Sequence, residues 1–269
     1  MKTLLLLDFN NLLYRGYFAL PKMEFAGKST HGLLGFMQQL CNLIKEFQTN
    51  HIIACLDAPP YTRKKLYPEY KGDRKDRDKD MLNEIFENVE YTIKLLEVLD
   101  IKYWKHQGLE ADDLIANCCQ QYINHYNRIV IVSSDDDLYQ LLSNKVFIYK
   151  NKKLLNMNWF LEQYSLYPRK WAKIKAITGS HNNVEGIHKV GIKTAIKLVN
   201  DSERYNQLTA EQQELIKNNL KIIKLPLEYL ATPFRMVTFK FNERKLLQFL
   251  PHYGIELQPW MRNELERYR

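Results

Sequence analysis

The chain contains few cysteines and no long hydrophobic run. Four of its 269 residues are cysteine, at positions 41, 55, 118 and 119, and no two of them form a Cys-x-x-Cys pair. This usage argues against a disulfide framework and against a zinc site. The early apolar run at residues 4–7 is cut by Asp8, whereas a membrane span needs about 20 apolar residues and a signal-peptide core about 7 to 15. We therefore expect a cytoplasmic protein without a membrane partner.

The sequence also lacks a Walker phosphate-binding loop, an internal repeat and any low-complexity stretch. The first absence argues against chemistry driven by nucleoside triphosphates. With 45% hydrophobic and 26% charged residues, the composition is typical of a globular chain. The length suits one large domain, or a domain with a smaller lobe.

Positive charge is concentrated in the second half of the chain. The formal net charge is +8; residues 1–137 carry 17 basic and 20 acidic side chains, whereas residues 138–269 carry 22 and 11. A basic half indicates a polyanionic partner, and we interpret it as a nucleic-acid surface. The alternative is that the excess charge only keeps the surface solvated.

Short apolar runs alternate with longer amphipathic segments over the first 150 residues. The runs lie at residues 3–7, 51–56, 101–104, 128–132 and 146–149, and the amphipathic segments at about 31–49, 80–98, 112–126 and 137–143. This alternation predicts an α/β fold with a mostly parallel central sheet flanked by helices on both faces. Ligands of such sheets bind outside the carboxyl ends of the strands.

Acidic residues follow four of the predicted strands. In chain order they are Asp8, Asp57, then Glu110, Asp112 and Asp113, and finally Asp135, Asp136 and Asp137. A single acid at such a position is often only a helix N-cap. Several carboxylates in one crevice repel one another unless cations neutralise them, and oxygen ligands without His or Cys favour Mg²⁺ or Mn²⁺. The pattern predicts metal-assisted phosphoryl transfer or phosphodiester hydrolysis.

Six motifs occur in order between residue 4 and about residue 199. They are Leu7-Asp8-Phe9-Asn10-Asn11-Leu12-Leu13-Tyr14-Arg15, Leu56-Asp57-Ala58, the stretch from Arg63 through Tyr67-Pro68-Glu69-Tyr70-Lys71 to Arg74, Glu110-Ala111-Asp112-Asp113, Ser134-Asp135-Asp136-Asp137-Leu138 and Gly191-Ile192-Lys193-Thr194-Ala195. Together they resemble the 5′ nuclease family, which has a PIN-like core and includes flap endonucleases, 5′-3′ exonucleases and the N-terminal nuclease domain of DNA polymerase I. The resemblance is nearest to the stand-alone, exonuclease IX-like group.

The resemblance implies a carboxylate metal centre. It assigns to a first metal Asp8, Asp57, Glu110 and Asp112, with Asp135 between two metal positions and Asp113 and Asp137 toward the second. The family supplies two further aspartates to the second metal from a Gly-Asp-x-x-Asp-Asn loop, where this chain has Gly179-Ser180-His181-Asn182-Asn183. We expect one firm site for Mg²⁺ (or Mn²⁺) and a weak second site.

The resemblance also implies a helical arch at about residues 60–80, through or beneath which a free 5′ end passes. Lys71 and Arg74 correspond to residues that approach the scissile phosphate, and Tyr70 to an aromatic residue that stacks on a nucleotide. The other residues expected to face DNA, in the arch and after the first strand, are Arg63, Lys64, Lys65 and Arg15. Residues 63–79 carry eight Lys or Arg against four acids, which suits phosphate binding. Taken alone, the same run would be read as a solvated charged loop.

Residues 186–197 resemble a helix-hairpin-helix that grips duplex DNA. A tight turn at Gly191 exposes backbone groups and a helix N-terminus to phosphate, with Lys189, Lys193 and Thr194 beside it. The family holds a monovalent cation, often K⁺, at this hairpin. Here Lys189 replaces the first hairpin glycine and His188 replaces the usual proline. The chain departs from the family pattern at this point, and K⁺ is expected from the resemblance alone.

We divide the chain into an α/β nuclease core at residues 1–170 and a DNA-binding lobe at residues 171–269. Helical spacing at residues 212–223, 244–253 and 260–269 predicts that this lobe closes over the sheet. The resemblance implies a metal-dependent 5′ nuclease that hydrolyses phosphodiesters in branched, nicked or gapped DNA with a 5′ end or flap, and we expect a monomer. Two alternatives are RNase H-like removal of RNA primers from RNA-DNA hybrids, and a DNA-structure-binding protein that has lost catalysis.

Overall fold

The computed structural model describes residues 2–72, 78–180 and 182–269, and a six-stranded sheet lies at the centre of this part of the chain. In spatial order its strands are β5 (Lys102–Lys105), β4 (Ile52–Leu56), β1 (Thr3–Asp8), β6 (Arg128–Val132), β7 (Val146–Lys150) and β8 (Lys153–Leu155). Neighbours from β5 to β7 run parallel, and β8 is antiparallel to β7. The predicted mostly parallel sheet is confirmed. Two short hairpins lie outside it, β2 (Glu24–Phe25) with β3 (Lys28–Ser29) and β9 (Gly179–Ser180) with β10 (Val184–Glu185).

Helices flank the sheet on both faces. Those of the described residues are α1 (Phe9–Ala19), α2 (His31–Phe47), α3 (Thr62–Leu66), α4 (Lys79–Val98), α5 (Ala111–Tyr122), α6 (Met157–Tyr164), α7 (Trp171–Thr178), α8 (Ile192–Asn200), α9 (Ser202–Asn206), α10 (Ala210–Ile223), α11 (Glu243–Phe249) and α12 (Pro259–Glu266). The segment predicted as a helix at 137–143 is a 3-10 turn at Asp136–Leu141. The apolar periodicity predicts α2, α4, α5 and the three C-terminal helices. It does not predict α1, α3, α6, α7, α8 or α9. Within the described ranges, no helix combines the length and the apolarity that crossing a membrane requires.

Strand β1 is enclosed on both faces of the sheet. Successive side chains of a strand point to opposite faces, so Leu4 and Leu6 pack in one apolar layer with α5, α7 and α10, while Leu5 and Leu7 pack in a second layer with α1, α2 and α12. All four leucines are inaccessible to solvent. A parallel strand covered in this way reads as a continuous apolar run, and its burial holds the end of the strand at Asp8 in a fixed position.

The C-terminal helices pack on both faces of the sheet. Helices α7 and α10 belong to the first apolar layer, whereas α11 and α12 belong to the second, on the opposite face of the sheet. The irregular segment 224–242 connects them and runs along α5. Asn117 accepts a hydrogen bond from the Leu230 N–H at 2.8 Å, and Gln121, one helical turn later, accepts one from the Phe234 N–H at 3.2 Å. Residues 171–269 are therefore divided between the two faces of the core.

Candidate metal and nucleic-acid site

The carboxyl ends of β1, β4 and β6 meet at one edge of the sheet and place three aspartates there. Asp8 is the last residue of β1, Asp57 follows β4, and Asp135 lies three residues after β6. The Asp8 carboxylate accepts hydrogen bonds from the backbone N–H of Asn11 (3.2 Å) and from Ser133 Oγ (2.7 Å). The start of α1 and the turn after β6 are thereby fixed on the same side chain.

The start of α5 brings further acids to this edge. Asp57 Oδ1 accepts a hydrogen bond from the Ala111 N–H at 2.8 Å, which joins the end of β4 to the first turn of α5. Carboxylate oxygens of Glu110, Asp112 and Asp113 lie within 4.8 Å of one another. The result is a crevice of about 480 Å³ whose acidic lining residues are Asp8, Asp57, Glu110, Asp112 and Asp135.

For two of these carboxylates, the hydrogen bonds and charges of the chain do not offset the cost of burial. Burial raises the pKa of Asp8 to about 7, and repulsion from Asp57 acts in the same direction, against the hydrogen bond from Ser133. Burial also raises the pKa of Asp112 well above its usual value, and Asp112 Oδ1 is a buried oxygen for which the described residues provide no hydrogen-bond donor. A divalent cation would relieve both penalties. Because the donors are carboxylate oxygens, they fit Mg²⁺ or Mn²⁺.

Arg63 lies inside the acidic group instead of on the DNA-facing surface that the sequence predicts. Its side chain, on α3, is 2% exposed. Nη1 donates hydrogen bonds to Glu110 Oε2 at 2.7 Å and to Asp113 Oδ2 at 2.5 Å, and Nη2 donates to Asp113 Oδ1 at 2.8 Å. Nε donates to the carbonyl of Ile222, in α10, at 2.8 Å. The guanidinium therefore neutralises two of the predicted metal ligands and connects them to α10.

Asp113, predicted as a ligand of a second metal, is surrounded by hydrogen-bond donors of the chain. The side chain is inaccessible to solvent. Besides the bonds from Arg63, its carboxylate accepts hydrogen bonds from the N–H of Glu110 at 3.2 Å and of Leu227 at 2.7 Å. With donors on both oxygens, this carboxylate holds the first turn of α5, α3 and the segment after α10 together, and we interpret it as a structural group.

Tyr70 and Lys71 contact the acidic group through Glu110. Tyr70 is 3% exposed and its hydroxyl donates to Glu110 Oε2 at 2.8 Å. The residue packs in the core and lines the crevice, and its stacking on a nucleotide stays a prediction. Lys71 Nζ pairs with Glu110 Oε1, and the Lys71 N–H donates to the Asn182 carbonyl at 3.0 Å. Although burial favours its neutral form, Lys71 and Arg63 hold the pKa of Glu110 below its usual value. Lys71 lines the crevice, as an approach to phosphate requires.

The acids after β6 have different surroundings. Asp135 Oδ1 accepts a hydrogen bond from the Asp137 N–H at 2.8 Å, which caps the 3-10 turn. Asp137 is 8% exposed and its Oδ1 lies 3.0 Å from Lys175 Nζ of α7. Asp136 pairs with Lys150 away from the crevice lining. Ser180 Oγ is 3.5 Å from Asp137 Oδ2, whereas His181, with residues 73–77 and hence Arg74, lies outside the described residues.

The remaining predicted DNA contacts lie on three separate surfaces. Lys64 and Lys65 are exposed on α3. Arg15 lines a second groove of about 500 Å³, between α1, α2 and the end of β7, together with Lys45 and Lys152. The hairpin residues Lys189, Gly191, Lys193 and Thr194 are all exposed at the start of α8. None of these residues is among those that line the acidic crevice.

The turn of the hairpin leaves room for a ligand to approach its backbone. Lys189 adopts a positive φ of 61°, so it occupies a left-handed position that glycine normally favours. Gly191 is the N-cap of α8, with φ −88°, and a Cβ added there would meet nothing within 4 Å. The exposed backbone N–H groups of the following turn can therefore be approached by a phosphate.

A wall of apolar side chains beside the acids was not predicted from the sequence. Tyr14 of α1 and Leu82 and Phe86 of α4 line the crevice, and Phe86 is 63% exposed. A large exposed ring at a polar site suits stacking on an unpaired base. The signal in the sequence is the spacing of Leu82 and Phe86 by four residues, which places both on one side of a helix.

Comparison with known proteins identifies relatives. Residues 3–165 match the family described as 5'-3' exonuclease, N-terminal resolvase-like domain. DNA polymerase I of Mycobacterium tuberculosis is 35% identical over 208 residues, which cover 73% of this chain and 23% of the polymerase. The 5'-3' exonuclease of Aquifex aeolicus is 31% identical over 204 residues, which cover 74% of this chain and 69% of that protein.

The fold has solved counterparts. A structure of T5 5'-exonuclease with bound divalent metal ions (zinc) superimposes with a TM-score of 0.71 at 22% identity, covering 84% of this chain and 90% of that one. The chain spans about a quarter of the length of the polymerase relatives and more than two thirds of the length of the separate exonuclease. On these matches, the chain belongs to the 5'-3' exonuclease family.

Proposed function

We propose that the chain is a Mg²⁺-dependent 5′ nuclease that hydrolyses phosphodiesters in branched, nicked or gapped DNA. The observation that carries this proposal is the acidic crevice, in which Asp8, Asp57 and Asp112 surround space for a hard cation while Lys71 and the apolar wall stand at its side. The names of the relatives, 5'-3' exonuclease and DNA polymerase I, support the same substrate class.

Different residues would hold the metal ion, orient its ligands and bind the phosphate. Asp8, Asp57 and Asp112 would hold the ion with Asp135, and Glu110 would stay oriented by Tyr70, Lys71 and Arg63. A bound divalent ion lowers the pKa of a coordinated water and offsets negative charge on the phosphate. The Lys71 ammonium, within the same crevice, would bind a non-bridging phosphate oxygen and stabilise the charge that develops there. Arg74, which lies outside the described residues, would also approach the scissile phosphate, as the resemblance implies.

Three surfaces would hold the nucleic acid. The hairpin at Gly191, with Lys189, Lys193 and Thr194, would bind the phosphates of duplex DNA. The groove at Arg15, with Lys45 and Lys152, would bind a second stretch of backbone. The apolar wall would contact unpaired bases near the cleaved bond. These contacts need one copy of the chain, in keeping with the expected monomer, and K⁺ at the hairpin remains a proposal that rests on the resemblance.

The test is cleavage of a labelled 5′-flap oligonucleotide in Mg²⁺ by the wild type and by Asp57→Asn. We expect the substitution to reduce the rate by more than 100-fold, because it removes charge from the ion while its carbonyl still accepts the Ala111 N–H. Asp100→Asn, at an exposed acid that pairs with Lys102, is the matched control and should cleave normally. Equal loss in both variants, or no effect of Asp57→Asn, would reject the site.

The same assay separates the alternatives. An RNA-DNA hybrid of matched sequence reports RNase H-like activity, which would appear as faster cleavage of the hybrid than of the flap. Tight binding of both substrates without cleavage of either, at every Mg²⁺ and Mn²⁺ concentration, would favour the DNA-structure-binding protein.

A further inference from the structure

A second, smaller cavity lies behind the acidic crevice. It has room for about one water molecule, and the residues of its lining that carry polar side-chain groups are Arg63, Tyr70, Asp112, Asp137, Ser180 and Asn182. The carboxylates of Asp112 and Asp137 thus face the same small space. Two carboxylates in such a space repel each other unless positive charge lies nearby.

Both carboxylates already have a cation of the chain beside them. Arg63 Nη1 lies 3.7 Å from Asp112 Oδ1, and Lys175 Nζ lies 3.0 Å from Asp137 Oδ1. The side chains of Lys175 and Asp137 are 14% and 11% exposed, so solvent screens this pair little. The other polar residues of the cavity, Tyr70, Ser180 and Asn182, are uncharged.

A divalent ion does not fit this cavity as it stands. It would share Asp112 with Arg63 and Asp137 with Lys175, and like charges that share ligands repel strongly where water is scarce. Its only anionic ligands would be Asp112 and Asp137, of which the second is already paired. The donor set of this cavity therefore differs from that of the Asp8 side of the crevice, where carboxylates outnumber cations.

We propose that Lys175 replaces a second divalent ion, so that the enzyme binds one metal ion and the Lys175 ammonium supplies the second positive charge by holding Asp137. This proposal rests on the nuclease function proposed above. Lys175 is a positioning residue that acts through its charge. It forms an ion pair with Asp137 Oδ1, an oxygen that accepts no hydrogen bond within the described residues, and the Asp137 N–H in turn donates to Asp135 Oδ1 at 2.8 Å. One metal ion and one fixed ammonium would thus neutralise the two sides of the acidic site.

The experiment counts Mn²⁺ ions bound to the full chain without DNA, by calorimetry and by the electron paramagnetic resonance signal of free Mn²⁺. We expect one ion for the wild type and for the charge-retaining Lys175→Arg. Lys175→Met should gain a second ion of at least tenfold weaker affinity, because Asp137 is released. Lys175→Met combined with Ser180→Asp should bind two ions of similar affinity, because a carboxylate is added to the same cavity.

Lys173→Met is the matched control, since Lys173 lies on the same helix with its ammonium 3.5 Å from the centre of the Tyr205 ring; it should bind one ion. Two ions of similar affinity in the wild type would overturn the proposal, as would a single ion in the folded double variant, with folding checked by circular dichroism. The flap assay of the wild type tests the nuclease function separately from the count of bound ions. An enzyme that binds one ion but does not cleave the flap would reject the nuclease function. An enzyme that binds two ions and cleaves the flap would reject only the role of Lys175.

Discussion

Arg63 and Asp113 form a two-bonded ion pair in the interior of the protein. The two terminal guanidinium nitrogens donate to the two carboxylate oxygens, at 2.5 and 2.8 Å, and the side chains are 2% and 0% exposed. Charges buried this deeply are costly unless both are present. The pair joins α3, in the predicted arch, to α5, which contains Asp112 and has Glu110 as its N-cap. The segment that would meet DNA is therefore connected to the acids that would hold the metal.

We expect Arg63→Met to lower the free energy of unfolding by about 3–5 kcal/mol, because it leaves the Asp113 carboxylate buried without its partner. Denaturant unfolding monitored by circular dichroism measures the change. Lys64→Met, at the exposed neighbour on α3, is the control and should change stability by no more than about 0.5 kcal/mol. Equal, small effects of both substitutions would mean that Arg63 is a surface residue.

Asp112 and Asp113 should respond in opposite ways to the same substitution. Asp112→Asn should weaken Mn²⁺ binding by at least tenfold and leave stability unchanged or raised, because it removes a carboxylate oxygen that has no donor. Asp113→Asn should lower stability and affect Mn²⁺ binding less, because its carboxylate serves Arg63 and two backbone N–H groups. Calorimetry with Mn²⁺ and unfolding of the metal-free protein report the two quantities. If Asp113→Asn weakened Mn²⁺ binding more than Asp112→Asn did, our assignment of the two residues would be wrong.

The sheet and the place of the acids could be predicted because both depend on short-range pattern. Strands buried on both faces are continuous apolar runs, as in residues 4–7, and the carboxyl ends of parallel strands share one edge. The positions of Arg63 and Tyr70 could not be predicted in this way. Both lie in a run dense in charge, which favours exposure, and they are buried only because Glu110 and Asp113 offer them partners about 40 to 50 residues away.

The ion pair between Lys175 and Asp137 was even harder to predict from the sequence. Its partner Asp137 is on another element, and nothing in the sequence near either residue indicates that α7 brings the two together. The C-terminal helices were predicted as helices from their spacing. Their division between two faces of the sheet depends on the path of residues 224–242 along α5, which has no periodic pattern of its own.

The contribution of Asp8 to the stability of the metal-free protein should fall as the pH rises from about 4 to about 7. The pKa of Asp8 is raised to about 7 in the folded protein, chiefly by burial, from 3.8, so in this window the folded state binds a proton that the unfolded state releases. The stability from this group is present below pH 3.8 and lost as the pH passes through 7. Thermal unfolding of the metal-free wild type and of Asp8→Asn tests this: the variant should show a smaller dependence on pH, and Mn²⁺ should stabilise the wild type more at pH 8 than at pH 5.5. A steeper dependence in Asp8→Asn would contradict the assignment.

Lys193→Ala should weaken binding to duplex DNA and reduce its salt dependence, with little effect on the rate of cleavage once DNA is bound. Each phosphate contact contributes about −0.9 to the slope of log K against log salt concentration, so the loss of one contact should reduce the slope by about that amount. Fluorescence anisotropy over a series of KCl concentrations measures it. Lys197→Ala, one turn further along α8 and also exposed, is the control and should change the slope less. Indistinguishable slopes for Lys193→Ala and the wild type would remove this hairpin residue from the interface.

Phe86→Ala should weaken binding of a 5′ flap with unpaired bases by about 5- to 150-fold, the range expected for the loss of one base stacked on an aromatic ring. Because the ring is 63% exposed, the substitution should leave the free energy of unfolding unchanged within about 0.5 kcal/mol. Phe18→Ala provides a matched control: Phe18 is also 63% exposed but is absent from the crevice lining. Anisotropy with the flap and with a blunt duplex of the same length should show a loss only for Phe86→Ala and only on the flap, since the duplex offers the ring no unpaired base. A loss of similar size on both DNAs would show that Phe86 contacts the duplex instead, and the apolar wall would then have no part in recognising single strands.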